Sequence, residues 1–311
     1  MSKILVSGLI NIETTLKIEQ FPINYFPVTY PFHGIQTTVS GVGFNLAKAL
    51  AILGSQINFL SLIGTDLYER TIFEELQTLG IDHQFILPQL SQTAQSVILY
   101  DNQGQRQIHT DLKDIQEQSY PLELFEQANV DCEICALCNI NFNRHLLKLA
   151  KDKDLMIATD VHAIQHKDDS FNRDFMAAAD ILFLSHENLN LKPQEFIPQL
   201  WDSYQNNIIV IGMGEQGAML GLKLEKSILH IPAIQLRPIV NTIGAGDALF
   251  SSFIFTYNKT SDPITSLQHA ILFASHKIGC NGAANGFIPF AELTNLFSHY
   301  QNELYPRVIK S

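Results

Sequence analysis

Short apolar runs of strand character alternate with segments of helical period along almost the whole chain of 311 residues, and no other feature limits the fold as strongly. Lys3–Ser7 reads as a buried strand ending at Gly8. Val42–Leu53 places apolar residues at helical spacing and stops at Gly54. Gln56–Leu62 reads as a strand and Tyr68–Leu79 as a helix stopped by Gly80. Glu133–Cys138 is a strand, His145–Lys151 the opening of a helix, and Leu155–Thr159 a strand ending at Asp160. Ile181–Leu184 and Ile208–Ile211 are further strands, and Asp247–Tyr257 and Ile264–Ile278 are consecutive buried helices. Such alternation predicts βαβ units: a doubly wound α/β fold whose mostly parallel sheet is covered on both faces. At 46 % apolar and 16 % charged residues the chain can fill that core, and a single α/β domain over 1–311 is expected.

Two stretches break the rhythm. Thr15–Val39 is rich in aromatics, β-branched residues and prolines and has no helical period. Ser96–Thr110 reads as a hairpin, with Ser96–Tyr100 and Gln105–His109 joined by a turn at Asp101–Gly104. These pieces, over about 12–40 and about 85–112, are read either as a small β-sheet lid or as ordinary surface hairpins. Phe26–Phe32 reads as an apolar lid strand. Its edge would pair with a second subunit, giving a homodimer through the lid.

Charge removes some function classes. Thirty-one Asp and Glu against twenty Lys and Arg give a formal net charge of −11. Broad contact with nucleic acid or an anionic membrane needs a basic footprint instead. A local site for a small anion remains open, and would need backbone donors and a divalent cation. No run approaches the roughly 18 uninterrupted apolar residues of a membrane helix. The N-terminal run Met1-Ser-Lys-Ile-Leu-Val lacks a signal-peptide design. Four cysteines are too few for a disulfide scaffold, so a cytoplasmic location is expected. Cys132, Cys135 and Cys138 have cluster-like spacing. They lie in a strand, where i and i+3 face opposite sides, so they are read as buried thiols. His162 and His166 fall in a polar stretch read as a surface loop.

The segment Asn241-Thr-Ile-Gly-Ala-Gly-Asp247 carries most chemistry. An extended run precedes it and an apolar helix follows, so Gly244, Ala245 and Gly246 sit where a loop becomes a helix. Small residues there admit a ligand close to the backbone, and the free N–H groups of the first helical turn then face it. This suits a phosphate whose charge grows during transfer. Asp247 has two readings: a base for an attacking hydroxyl, or a cap at the helix start. Gly212-Met-Gly214-Glu-Gln-Gly217 matches a dinucleotide fingerprint in spelling, but the alternating Ala218–Glu225 that follows reads as a strand. It is therefore a hairpin turn, which weakens an oxidoreductase reading.

At these residues the chain resembles the ribokinase or PfkB family of carbohydrate kinases. Asn241–Asp247 resembles the family's Asp-Thr-x-Gly-Ala-Gly-Asp, and Ser40-Gly-Val-Gly-Phe-Asn45-Leu-Ala its Gly-Gly-x-Gly-x-Asn-x-Ala. Ile63-Gly-Thr-Asp66 with Leu79-Gly-Ile-Asp82, the turn Asp101–Arg106, and Gly282-Ala283 with Pro289 follow in family order. The resemblance implies a ribokinase-like fold with a β lid, and ATP and Mg²⁺ as cofactors. It implies Asp247 as base, with Gly244, Ala245 and Gly246 as the anion hole. Asn11, Glu13, Gly41, Gly43 and Asn45 would hold sugar hydroxyls; Glu13 stands where Asp is usual. Gly212, Gly214, Gly217, Thr242, Ser185 and Ser275 would line the nucleotide.

Departures accompany the matches. Ser185-His-Glu-Asn188 stands where the family has Asn-x-x-Glu, which leaves Glu187 and Asn188 as the candidate metal residues. Asn241 replaces an Asp that in ribokinase helps hold K⁺. Some family nucleoside kinases, pseudouridine kinase among them, are similar in both glycine motifs and at Cys138-Asn-Ile, which would put Asn139 near the far end of a substrate. The expectation is an ATP-dependent kinase acting on the hydroxymethyl group of a sugar. The alternatives are a nucleoside kinase, or a catalytically impaired nucleotide-binding regulatory protein on the same fold.

Overall fold

The structure, a computed structural model, describes residues 3–309. Met1 and Ser2, where the N-terminal reading begins, and residues 310–311 lie outside the described residues. In chain order β1 (Lys3–Ser7) leads into β2 (Asn11–Lys17), β3 (Ile35–Ser40), α1 (Val42–Leu53), β4 (Gln56–Gly64), α2 (Glu69–Thr78) and β5 (Ile86–Leu90). The hairpin β6 (Ala94–Tyr100) and β7 (Arg106–Asp111) follows. Next come α3 (Leu122–Ala128), β8 (Cys132–Leu137), α4 (Arg144–Asp152), β9 (Met156–Ala163), α5 (Arg173–Ala178), β10 (Ile181–Ser185) and α6 (Pro193–Ser203). The chain finishes with β11 (Ile208–Gly212), β12 (Ala218–Leu222), β13 (Ser227–Ile231), α7 (Ala245–Thr260), α8 (Pro263–Lys277), α9 (Phe290–Tyr300) and β14 (Arg307–Val308).

Ten strands form one sheet in the order β14-β13-β12-β11-β10-β9-β8-β1-β4-β5. From β5 to β11 every neighbouring pair is parallel, and β12, β13 and β14 extend it antiparallel. The strands are apolar on both sides because helices cover both faces. Ile4 and Val6 of β1 pack into one core cluster, with Phe44, Phe250 and Phe253 of α1 and α7. Leu5 packs into the other, with Phe125, Leu146 and Phe196 of α3, α4 and α6. Full burial of each such side chain contributes roughly 1.5–3 kcal/mol. Phe183 meets Phe250 and Phe253 at centroid distances of 4.9 and 5.1 Å, which seats α7 firmly on the sheet.

The second sheet is small, in the order β3-β2-β6-β7. It is tied to the large domain by a cluster of Ile98 and Tyr100 with Ile243 and Ala283. Its second piece is shorter than the expected 85–112. Ile86–Leu90 pairs with β4 in the large sheet, so the lid resumes only at Ala94.

Other local expectations are also corrected. Phe26–Phe32 is irregular backbone, not a strand. Pro27 and Pro31 remove ladder donors there, and the side chains stand exposed, Tyr30 at 76 % and Phe32 at 86 %. Strand β9 does not stop at Asp160. It continues to Ala163 through a positive φ at His162, so His162 belongs to a strand end rather than a loop. Cys132 and Cys135 pack into the same core cluster and Cys138 into the other; a register shift between β1 and β8 at Lys3/Ile4 breaks strict alternation. All three are buried free thiols, as expected. No helix among the described residues is long and apolar enough to cross a membrane.

Candidate active site

The carboxyl ends of the parallel strands, the start of α7 and the underside of the small sheet converge on one cleft, where open α/β sheets bind ligands. Gly244 caps α7 at φ +74°, and a Cβ there would lie 2.5 Å from the Ala283 carbonyl oxygen, so only glycine fits. Ala245 N donates to Thr242 O and Ala248 N to Gly244 O. The first-turn N–H groups of Gly246 and Asp247 thereby remain for a ligand. Gly244, not Asp247, holds the cap position of α7, and the Asp247 carboxylate takes its hydrogen bond from a side chain. Its Oδ2 accepts 2.7 Å from Asn45 Nδ2. Burial drives the Asp247 pKa up to about 6; the Asn45 hydrogen bond and the charges of His162 and Lys277 oppose that rise, and Asp160 adds to it.

A chain of polar side chains runs back from Asp247 into the lid. The Ser40 hydroxyl lies 3.2 Å from Asn45 Oδ1 and 3.0 Å from Glu13 Oε2, and Ala283 N donates to Glu13 Oε1 at 3.3 Å. One hydroxyl proton cannot serve both acceptors. It donates to one of them at a time, and Glu13 is the nearer. Burial raises the Glu13 pKa, against the Ala283 and Ser40 hydrogen bonds and the charge of Lys277. Glu13 is only 4 % exposed and both its oxygens are engaged. Asn11, 5 % exposed, donates to Ser96 Oγ at 3.0 Å, while its Oδ1 is buried with no partner. It is an acceptor aimed at a donor the chain does not supply. Gly41 caps α1, and Gly43 touches Gly8 at the end of β1, so α1 starts directly behind this chain.

The opposite side of the cleft is more open. Gly212 ends β11, and Gly214 and Gly217 shape the antiparallel turn into β12, as the hairpin reading requires. Arg106 of the lid reaches across, its Nη1 2.7 Å from Thr242 Oγ1 and its Nη2 3.2 Å from Glu187 Oε1. An open cleft of about 720 Å³ lies here, lined by Phe21, Arg106, Ile108 and Glu187 among others. Ser185 ends β10 and accepts from Glu187 N; Asn188 is exposed beside it.

Three expected residues stand apart. The Ser275 hydroxyl donates to Ile234 O and accepts from Leu236 N, so it fastens the segment after β13. Asn139 bonds Asn172 at 3.0 Å and has no bond to the Asp247 cluster. Asn241 is buried, its Oδ1 accepting from Ile243 N and its Nδ2 donating to Asn281 Oδ1. Sequence reasoning gave no role to Ser40, Ser96, Arg106 or Lys277. Lys277 had a signal: it is the one Lys or Arg in the apolar run Ile264–Ile278. Ser40 and Ser96 had none, because strand serines are common and only the fold brings them to Glu13 and Asn11.

A helix start with free N–H groups, a carboxylate held beside it and a small sheet above it would suit a group-transfer site. The chain matches the pfkB family carbohydrate kinase description over residues 1–290, and it belongs to that family. It is a phosphotransferase with an alcohol group as acceptor. It is 23 % identical over 260 residues to deoxyribokinase of Salmonella typhi, covering 79 % of this chain and 83 % of that one. It is 22 % identical over 292 residues to acarbose 7(IV)-phosphotransferase of an Actinoplanes species, covering 93 % and 96 %. Among solved structures it is similar to a microbiome-derived acarbose kinase (TM-score 0.86, 22 % identity, 96 % and 99 % covered). Arabidopsis thaliana ribokinase complexed with ribose and ATP is similar at TM-score 0.81 and 19 % identity, with 95 % and 99 % covered. A Burkholderia thailandensis nucleoside kinase in complex with inosine is similar at 0.74 and 16 %, with 96 % and 98 % covered. These likenesses establish the ribokinase-like fold with its small lid sheet.

Proposed function

We propose that the chain is an ATP-dependent kinase that phosphorylates the hydroxymethyl group of a sugar or sugar-like substrate, with Asp247 as the base. The observation that carries this is the Asp247 carboxylate, fixed by Asn45 at 2.7 Å in the same helical turn that offers free N–H groups. Asp247 takes the proton as the hydroxyl oxygen attacks the γ-phosphorus, and the bond to the ADP oxygen breaks. Gly244, Ala245 and Gly246 let the transferring group approach the helix start, whose N–H groups meet its charge. Asn11 Oδ1 accepts from a sugar hydroxyl, and a site built this way rejects analogues that lack it.

Among the described residues no three His, Cys, Asp or Glu converge into a metal cage. Glu187, with Asn188 adjacent, would be the carboxylate to hold a Mg²⁺ brought by the nucleotide. When bound, such an ion offsets phosphate charge. The exposed aromatic run Tyr25–Phe32 supports a homodimer through the lid; light scattering that finds only monomer at micromolar concentration would count against it.

The test is ADP release that depends on an added acceptor, across ribose, deoxyribose, fructose, ketodeoxygluconate, adenosine, inosine and pseudouridine. Turnover with one of these is expected. Nucleotide binding without acceptor-dependent turnover across the panel would favour the regulatory reading instead.

A further inference from the structure

We propose that Lys277 supplies, from within the chain, the monovalent cation that braces the anion loop, so that this protein works without K⁺. The inference rests on the reading of Gly244–Asp247 as the phosphoryl-transfer site. Lys277 ends α8 and is 0 % exposed. A buried ammonium is costly unless it is paired and hydrogen-bonded. Its Nζ donates to Ile243 O and, at 2.8 Å, to Gly282 O. Ile243 immediately precedes Gly244. Gly282 immediately precedes Ala283, whose carbonyl crowds Gly244 and whose N–H holds Glu13. One positive charge therefore ties together the two loops that shape the start of α7, using convergent carbonyl oxygens.

That is how a protein ligates a monovalent cation, and here those oxygens are taken. A K⁺ ion does not fit the remaining donors. Asn241, at the position where ribokinase has a cation-holding Asp, carries no charge. Its oxygen already accepts from Ile243 N, and its nitrogen donates to Asn281 at 2.8 Å. A second cation beside Lys277 would meet repulsion with no carboxylate at 241 to offset it.

The charged groups facing Lys277 come from four directions: Asp247 of α7, Glu13 of the lid and Cys280 after α8 favour its protonated form, and Arg106 of β7 opposes it. Burial is the largest influence and lowers the Lys277 pKa to about 8. The brace is charged below that pH and is lost above it.

The test uses the full chain. With the acceptor found by the panel, kcat is followed while KCl replaces choline chloride at constant ionic strength. The wild type is expected to show no K⁺ dependence and an alkaline fall in kcat near pH 8. Lys277→Met is expected to lose about 10- to 100-fold in kcat, as removal of a partner behind a site typically does, with little change in acceptor KM. Lys277→Ala is expected to recover part of its loss with KCl or NH₄Cl. Melting curves give a reading independent of turnover: K⁺ in place of choline should raise the melting temperature of Lys277→Ala by mass action and leave the wild type unmoved. A wild type that requires K⁺ or is stabilised by it, or a Lys277→Met with wild-type kcat in choline, overturns the proposal. If the Lys277 variants do not fold, the wild-type salt series decides alone. If no acceptor turns over, the proposed function has failed, and the wild-type melting series still judges Lys277.

Discussion

The two sides of the cleft differ in how their polar groups are occupied. Around Glu13, Ser40 and Asn45 the side chains are buried and bonded to one another, down to a single hydroxyl between two acceptors. Around Thr242 and Glu187 the groups are exposed and are bridged by one lid arginine. The first side is preorganised: it sets the geometry and protonation of Asp247 before any ligand arrives. The second is adaptable, since surface ion pairs contribute only about 0–1 kcal/mol and yield readily to an incoming phosphate. On the proposed reading, positional accuracy is concentrated where the proton would move, and rearrangement where the large anion would enter.

Substitutions on the two sides should have different effects. Asp247→Asn is expected to lower kcat by roughly 10²–10⁴-fold while nucleotide affinity, read by calorimetry, is retained. Asn45→Ala removes the hydrogen bond that holds the Asp247 pKa down. A loss of about 10- to 100-fold in kcat is expected. Because the base must be ionised, wild-type kcat/KM falls as pH drops through about 6, and that limb moves to higher pH in Asn45→Ala. Unchanged pH limbs would show that the preorganised side does not tune Asp247.

Smaller effects are expected on the adaptable side. Arg106→Ala should raise the nucleotide KM about tenfold, since a charge-assisted hydrogen bond is lost, and leave the melting temperature where it was. Glu13→Gln should change turnover least, because the amide keeps the side chain's length and an oxygen that accepts from Ala283 N. It should remove a pH effect instead. With its folded pKa raised, Glu13 contributes stability at low pH that is lost as pH rises through that value, so wild-type melting falls over that range and Glu13→Gln does not follow. A large loss of kcat/KM in Glu13→Gln would mean that Glu13 acts as a charged sugar ligand.

How much was legible follows from which signals are local. Helical period and glycine stops set α1 to the residue, Val42–Leu53 with Gly54 behind it. The Gly212–Gly217 hairpin was readable from the alternation of the strand after it. Phe26–Phe32 looks like a strand in its apolar, β-prone composition, while its prolines forbid a ladder. The Asp247 neighbourhood was legible as motifs, whereas the links between them were not. Ser40 to Glu13, Asn11 to Ser96 and Lys277 to Ile243 are contacts across sheets and helices, which no spacing in the chain encodes.

The left-handed turn at Gly244 has a consequence for biosynthesis. Its close neighbour is the carbonyl of Ala283, and the ammonium bracing the adjacent residue comes from position 277. Asp247, the proposed base, thus leaves the ribosome before the residues that give its loop its shape. A nascent chain stalled just past α7 would carry every motif of the anion hole and still lack the hole itself.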